Sequence, residues 1–480
     1  MFLSKQQKQL HMKTQTLPTA NPIFERTEKT VFTTPKISQT VLKNRLVLGT
    51  TILMLLIGAS TVFVLQDDFY NFNESRMDST VGFTFLMITL ALLAFKSIYF
   101  LYTVYLYLTY KPIASVTDEL LPTITVIVPA YNEGHLVHQT LLSIASSDFP
   151  KHKLQIMAID DGSKDDTWSW MQKAKQTLGD QIEIFQQPEN KGKRHALYRG
   201  FHLGTGDVFV TIDSDSIIEK DTLRNLVSPF ATDENCGAVA GNVRVLNNKT
   251  AILPKMLNVS FVMSFEFVRS AESRLGSVLC TPGALAAYKR TAVFNCLPEW
   301  INQTFMGTPS DIGEDRAMTN MILKQGQKVL FQRNAVVLTD VPEKYKGLYK
   351  MFIRWGRSNV RENLAMANYV FTNFKKESKT GTRLLFINQF LTLAMTYPFL
   401  LFMLFFIAVH PLLFLSSTLL GILLFSTFPV LFYAKKYSIS ESLWAYSYSI
   451  LFTFGLFWIA PYSIATAGKS GWLTREIAQK

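Results

Sequence analysis

Residues 384–434 are 51 consecutive positions without Asp, Glu, Lys or Arg, a stretch from which no soluble surface can be built. Three more runs behave similarly. Residues 46–66 contain no charged side chain, 83–110 contain only Lys96, and 442–468 add 27 uncharged positions. A bilayer span takes about 20 apolar residues, so 46–66, 83–110, 384–434 and 442–468 hold one, one, two and one spans. The whole chain is 18% charged, against about 25% in an average soluble domain. It nevertheless carries 48 Lys+Arg against 36 Asp+Glu, a net charge of +12. With 37 Phe and only 24 Gly, it is neither disordered nor collagen-like.

The charge excess orients the spans. Residues 1–45 hold eight Lys/Arg against Glu25 and Glu28, whereas 67–82 hold Asp67, Asp68, Glu74 and Asp78 against Arg76. Cytoplasmic flanks are rich in Lys and Arg, which puts 1–45 inside and the 67–82 loop outside. The first apolar run starts too late for a cleaved signal peptide. Residues 111–383 return to the cytoplasm, with Lys375, Lys376, Lys379 and Arg383 at their membrane edge. The last run is the exception: a full span would export the basic tail (Lys469, Arg475, Lys480), and Pro461 is a candidate break within it. The layout is therefore a segment 1–45, spans in 46–110, a soluble domain 111–345, amphipathic interface helices 346–383, about three spans in 384–467, and a tail 468–480.

From Thr123 the pattern becomes short apolar runs alternating with helical stretches. ITVIVPA (124–130) reads as a strand, LQIMAIDDGS (154–163) as strand then turn, and VFVTIDSDS (208–216) as a strand ending in acids, with helices over 137–146 and 165–176. This alternation predicts an α/β domain with a mostly parallel sheet and ligands at the strands' carboxyl ends. Three polar clusters fall there: Tyr131-Asn132-Glu133, Asp160-Asp161 and Asp213-Ser214-Asp215. An Asp-x-Asp pair is often only a solvated turn, but directly after an apolar strand it suits a hard divalent cation bridged to substrate phosphates. Lys193 and Arg194 add positive charge without P-loop spacing. Glu314-Asp315 opens an amphipathic stretch, as ordinary N-terminal helix acids or as a general base. Lys350, Arg354, Arg357 and Arg361 recur at helical spacing beside Trp355, a pattern that also suits an anionic lipid surface. The apolar stretch 255–268 is either a second interface helix or a core helix. Cys236, Cys280 and Cys296 are too few and too scattered for a disulfide framework or a zinc site.

In this order, VPAYNE (128–133), DDGS (160–163), GKRHAL (192–197), DSDS (213–216), CTPGALAAYKR (280–290), GEDR (313–316), RWGRSNVRE (354–362) and WLTR (472–475) resemble the processive, membrane-embedded glycosyltransferases of family 2. Hyaluronan synthases and rhizobial chitooligosaccharide synthases are the nearest members, and cellulose synthases are more distant. The resemblance implies a GT-A-like, Rossmann-like nucleotide-sugar domain between transmembrane helices. Ala130, Tyr131, Glu133 and Asp161 would line the uridine pocket, with Asp160 beside it. Lys193 and Arg194 would contact the nucleotide, and Arg354 the diphosphate. Asp213, Ser214 and Asp215 would hold the diphosphate and its Mg²⁺ or Mn²⁺, with Asp213 and Asp215 as ligands. Asp315 would be the base, with Glu314 adjacent; Cys280, Gly283 and Trp355 would meet the acceptor. The family's Gln-x-x-Arg-Trp motif has Met351 in place of glutamine here, and its Trp-Gly-Thr-Arg motif has Leu473 in place of glycine.

The expected function is inverting, processive polymerisation of UDP-sugars, UDP-GlcNAc first and UDP-GlcA as a second donor, with export of a β-linked glycan. Partners are the UDP-sugar, the growing glycan and membrane lipid, with no motif for nucleic acid. The setting is a plasma or inner membrane, multi-pass, with the catalytic domain cytoplasmic. Two alternatives remain at this point: transfer of one sugar to a lipid, and a transporter or scaffold with an inactive domain. The latter places ionisable groups within spans, and here only Lys96 and His410 lie there.

Overall fold

A computed structural model describes residues 34–469, with side chains from residue 41 onward. The basic segment 1–33 and the tail 470–480, including WLTR, lie outside the described residues. Three helices, Val41–Val64, Thr80–Thr109 and Pro411–Lys436, are long and apolar enough to cross a bilayer. Two bent pairs bring the number to five if each counts as one span: Thr380–Ala394 with Thr396–Val409, bent by 41°, and Ile439–Gly455 with Ile459–Ala465, bent by 49°. The run 384–434 therefore divides into two elements, as its length requires. The acidic stretch after the first span, expected as a loop, is a helix, Gln66–Asp78. Asp67 and Asp68 in its first turn and Arg76 in its last complement the helix dipole, and none of its residues is buried.

Between the apolar helices lies an eight-stranded mixed sheet. Its strands are β1 (Ile124–Ala130), β2 (Leu154–Asp160), β3 (Ile182–Gln186), β4 (Val208–Ile212), β5 (Ser216–Ile218), β6 (Cys236–Val245), β7 (Leu285–Lys289) and β10 (Lys328–Thr339). A small hairpin, β8 (Thr304–Phe305) and β9 (Thr308–Pro309), stands apart. The order is β3-β2-β1-β4-β7-β6-β10-β5, with β7 and β5 antiparallel to their neighbours. Side chains alternate between the faces, as the strand period demands. Val126, Val128, Val208 and Val210 enter one core, and Ile127, Met157 and Phe209 the other. Helices Leu136–Ala145 and Thr222–Thr232 cover the first face; Lys193–Leu203, Arg290–Ile301 and Glu314–Lys324 cover the second.

The order places the topological switch between β1 and β4. Their pairing ends at Ile127 and Thr211, so the two carboxyl ends separate beyond that point. In α/β sheets such a crevice is where ligands bind. Tyr131–Glu133 leave β1 there, and Asp213–Asp215 leave β4.

Helix Ile252–Phe261 and its π-helical continuation Val262–Val268 join the sheet to the apolar helices. Leu257, Phe261 and Phe265 belong to the sheet core. Met256, Val259 and Val262 pack with Tyr433 and Trp444, and Phe267 meets Phe428 and Phe432 with centroids 5.1 and 5.4 Å apart. Both readings of 255–268 therefore hold at once, on opposite faces of one helix. Glu266 pairs with Lys436 and accepts a hydrogen bond from Tyr437 at 2.6 Å, fastening the last long apolar helix to the sheet domain.

The final run breaks at 456–458, before Pro461, which sits in the first turn of Ile459–Ala465 where its missing N–H costs nothing. Pro461 lacks the N–H that would bond the Phe457 carbonyl, so the helix does not run through 457 and the break falls one turn before the proline. On both sides of the break the chain runs beside helix Tyr345–Ala367. Tyr345 donates to the Gly455 carbonyl (2.5 Å), Gly356 leaves room for Ser463, and Arg357 and Arg361 donate to Thr466 Oγ1 (3.0 Å) and the Ala467 carbonyl (2.7 Å).

Candidate active site

Helix Lys193–Leu203 starts after Gly192, whose φ of 92° suits only glycine at low cost, and its first residue turns into the switch-point crevice. The Lys193 ammonium is 2.5 Å from Asp213 Oδ1 and 3.1 Å from Glu314 Oε1, so one buried cation ties the end of β4 to helix Glu314–Lys324. Burial alone would lower the pKa of Lys193, but the facing carboxylates of Asp213 and Glu314 outweigh it and hold the ammonium charged. Gly283 makes this approach possible, since a Cβ there would lie 2.6 Å from Lys193 Nζ.

Glu314 and Asp315 are adjacent in sequence and opposite in electrostatics. Burial works against both carboxylates, but Lys193 and then Arg354 keep Glu314 below its usual range. Asp315 is raised by burial and by the Glu314 charge beside it. Pairs pushed apart in this way mark acid–base sites. Asp315 is also held in orientation. Its Oδ2 accepts the Gly283 N–H at 3.0 Å and its Oδ1 the Arg316 N–H at 2.7 Å. Cys280 Sγ lies 4.0 Å away. The Cys280–Gly283 turn is itself tied down, with Thr281 bonded to Thr319 and Tyr288.

Asp215 is half-buried, and its Oδ1 accepts from Ser216 and Thr339 at 3.2 and 3.3 Å. Burial and the neighbouring Asp213 push its pKa up to about 6. Ser214 is buried, with its carbonyl accepting from Thr140 at 2.9 Å.

The remaining sequence-predicted residues divide into two groups. Asp160 accepts from the Ser163 N–H (3.0 Å) and Gln186 (2.9 Å). Asp161 accepts from the Lys191 and Gly192 N–H groups (3.1 and 2.8 Å) and Gln187 (3.0 Å). Both therefore shape the loop leading to Lys193. Ala130 ends β1 and receives the Asp161 N–H; Tyr131 is buried; Glu133 is anchored through its N–H on Thr167. Arg194 turns away from the acids. It donates to the Trp300 carbonyl (2.5 Å) and Gln303 (3.1 Å) and lies over the Trp300 ring. Arg354 acts on Glu314 from helix Tyr345–Ala367. Trp355, on the same helix, is 37% exposed within an aromatic set formed with Phe352 and Phe261. Met351 is buried in the sheet core.

The sequence reading missed a buried network behind this site. Gln303, which accepts from Arg194, donates to Glu362, and Glu362 also accepts from Asn320 (2.8 Å each). Glu362 lay within the quoted RWGRSNVRE motif, and an acid on a basic helix was the available signal.

Residues 122–358 match the family described as Glycosyltransferase like family 2. An N-acetylglucosaminyltransferase from Azorhizobium caulinodans is 32% identical over 302 residues, covering 59% of this chain and 75% of the relative. The chain belongs to glycosyltransferase family 2. Another N-acetylglucosaminyltransferase, from Rhizobium meliloti, is 34% identical over 243 residues, 50% of this chain and 57% of that relative's length. A hyaluronan synthase from Streptococcus pyogenes is 29% identical over 370 residues, covering 74% and 83%. The fold is that of a mannosyltransferase from Pyrobaculum calidifontis solved with GDP-Man and Mn²⁺ (TM-score 0.51, 23% identity, 78% of this chain and 96% of that one).

A family 2 glycosyltransferase with these side chains fits a divalent cation at Asp213 and Asp215. Both are hard oxygen donors, one residue apart, and the like charge of Asp213 contributes to the raised pKa of Asp215. A cation there would relieve that repulsion. Among the described residues no larger His, Cys, Asp and Glu cluster suits a metal.

Proposed function

We propose that this family 2 glycosyltransferase is a processive, inverting synthase that polymerises UDP-sugars, UDP-GlcNAc first and UDP-GlcA as a second donor, and passes the β-linked product through its own apolar helices. The observation that carries it is the Lys193 bridge: one ammonium joins the Asp213 loop to the helix whose next residue, Asp315, is oriented by the Gly283 N–H. Asp315 takes the proton from the acceptor hydroxyl; the resulting oxygen bonds to the donor's anomeric carbon, and the carbon–oxygen bond to the diphosphate breaks, its electron pair leaving with UDP. Lys193 and Arg354 counter the charge on that leaving group. Mg²⁺ or Mn²⁺, held by Asp213 and Asp215, would add Lewis-acid neutralisation of the diphosphate. Tyr131, Glu133 and the Asp160–Asp161 loop form the nucleoside side, and Trp355 stacks on the acceptor sugar beside Cys280 and Gly283.

The boundaries expected from sequence (1–45, 46–110, 111–345, 346–383, 384–467 and 468–480) are part of this proposal. So is a multi-pass topology in a plasma or inner membrane with the catalytic domain in the cytoplasm. A glycan cannot cross hydrocarbon unaided, so polar groups between apolar helices support the export reading. Lys96 donates to Asn388 (2.7 Å) and Thr392 (2.8 Å) on the bent pair. The test is to supply purified protein with single UDP-sugars and with pairs, plus Mg²⁺ or Mn²⁺, and to measure UDP and product length. Metal-dependent UDP release with a long product is expected. A product one sugar longer than its acceptor would replace processivity with single transfer, and no UDP from any donor would defeat the proposal.

A further inference from the structure

A second charged cavity, of about 420 Å³, lies where the catalytic sheet meets two apolar helices. Tyr110 and Lys111, just beyond helix Thr80–Thr109, line one side, and Gly381, in the first turn of helix Thr380–Ala394, lines the other. Both helices end here, which sets the cavity at the depth of lipid headgroups. Four cations line it, Lys111, Arg274, Lys328 and Lys375, against two carboxylates, Asp233 and Glu377.

The two acids do not satisfy the four cations. Lys328 takes both of them, at 2.9 Å to Asp233 and 3.2 Å to Glu377. Lys375 has a side chain only 3% exposed, yet its nearest carboxylate oxygen, on Glu377, is 4.0 Å away, beyond hydrogen-bond reach. Among the described residues no hydrogen bond reaches that ammonium, nor does any carboxylate pair with Lys111 or Arg274. The stem of Lys375 is buried while its ammonium opens onto the cavity, and a charge so placed is stabilised by a ligand that completes its shell. Helix Thr380–Ala394 adds first-turn amides with no side-chain cap.

We propose that this cavity binds a phosphate ester, with Lys375 at its floor and Lys111 and Arg274 at its mouth. The position at two span ends favours the phosphate of an anionic lipid over a soluble phosphate. Occupancy would tie β10, the 273–276 turn and two apolar helices to one anion, fixing the catalytic sheet against the membrane block. The site is separate from the Lys193 cluster, and its test does not depend on sugar transfer.

Purified full-length protein in neutral detergent is titrated with phosphatidylglycerol, phosphatidylcholine or inorganic phosphate, following Tm and the bound lipid by native mass spectrometry. Phosphatidylglycerol is expected to raise Tm more than phosphatidylcholine. The double variant Lys111→Gln/Arg274→Gln should weaken the midpoint about thirtyfold, the effect of two cations at a membrane surface. Lys376→Gln/Lys435→Gln, which removes the same charge from the membrane edge outside the cavity, should leave it unchanged. An equal shift from millimolar inorganic phosphate, lost in the first double variant, would make the ligand a soluble phosphate at the same site. No shift with either anion, or equal weakening in both double variants, would overturn the proposal.

Discussion

Two acidic loops leave the same sheet edge and have opposite chemistry. Asp160 ends β2 and Asp161 follows it, and the two are met by three backbone N–H groups and two glutamine amides. Their charge is used in holding the turn that delivers Lys193. In the other group, Asp213 and Glu314 pair with the buried Lys193 ammonium, and the pKa values of their neighbours Asp215 and Asp315 are raised. The difference teaches that neutral donors alone do not set an acid's character: Asp215 and Asp315 also accept hydrogen bonds, but they face other carboxylates with cations in short measure. A carboxylate surrounded by amides has its lone pairs taken up; one facing other carboxylates retains a demand for a proton, a metal or a substrate.

That contrast can be broken by substitution. Of the changes that leave every acid in place, Lys193→Gln should have the largest effect. It strands Asp213 and Glu314, and breaking a buried pair costs about 3–5 kcal/mol. UDP release should fall about 10²–10³-fold, as for removal of one preorganised donor. Thermal unfolding and UDP assays on one preparation check both. Gly283→Ala should be milder. Its Cβ, 2.6 Å from the ammonium, displaces Lys193 without removing it, and an approximately tenfold loss of turnover is expected. On the other loop, Asp161→Ala should cost about 1–3 kcal/mol of stability, since buried amides lose their acceptor. Its turnover at saturating donor should stay within about threefold, with the change in KM instead. A larger fall in turnover than in Gly283→Ala would erase the distinction between the loops.

The smallest effect expected is on pH dependence. A base works deprotonated, and burial with Glu314 raises Asp315, so turnover is full above its pKa and lost as pH falls through it. The acid limb of the pH–rate profile should lie above the ordinary aspartate value of about 3.9.

Much of this was legible in sequence, and for physical reasons. Uncharged runs marked the apolar helices because hydrocarbon excludes charge. Short continuous apolar runs marked β1, β2 and β4, and the acids after them marked the sheet edge. Side-chain direction was not legible. Lys193 and Arg194 are neighbours in sequence, but successive helical residues point about 100° apart, so one enters the acid cluster and the other reaches Trp300. The Arg194–Gln303–Glu362–Asn320 network joins four distant segments and has no local pattern. Met351 reads as a lost polar group only until its burial in the sheet core is seen. The last apolar run offered Pro461 as a break, and the chain bends one turn before it, where the proline supplies no N–H to the Phe457 carbonyl.

The most direct test of the division between the loops is the rate of UDP release by Asp315→Asn, with Tm measured on the same sample. Asparagine keeps the size of the side chain and an oxygen for the Gly283 N–H but cannot accept the acceptor's proton. The expected result is a fall of about 10²–10⁴-fold with Tm within a few degrees of the parent, the usual worth of a general base. A rate within a factor of a few of the parent would contradict the assignment of Asp315 as the base.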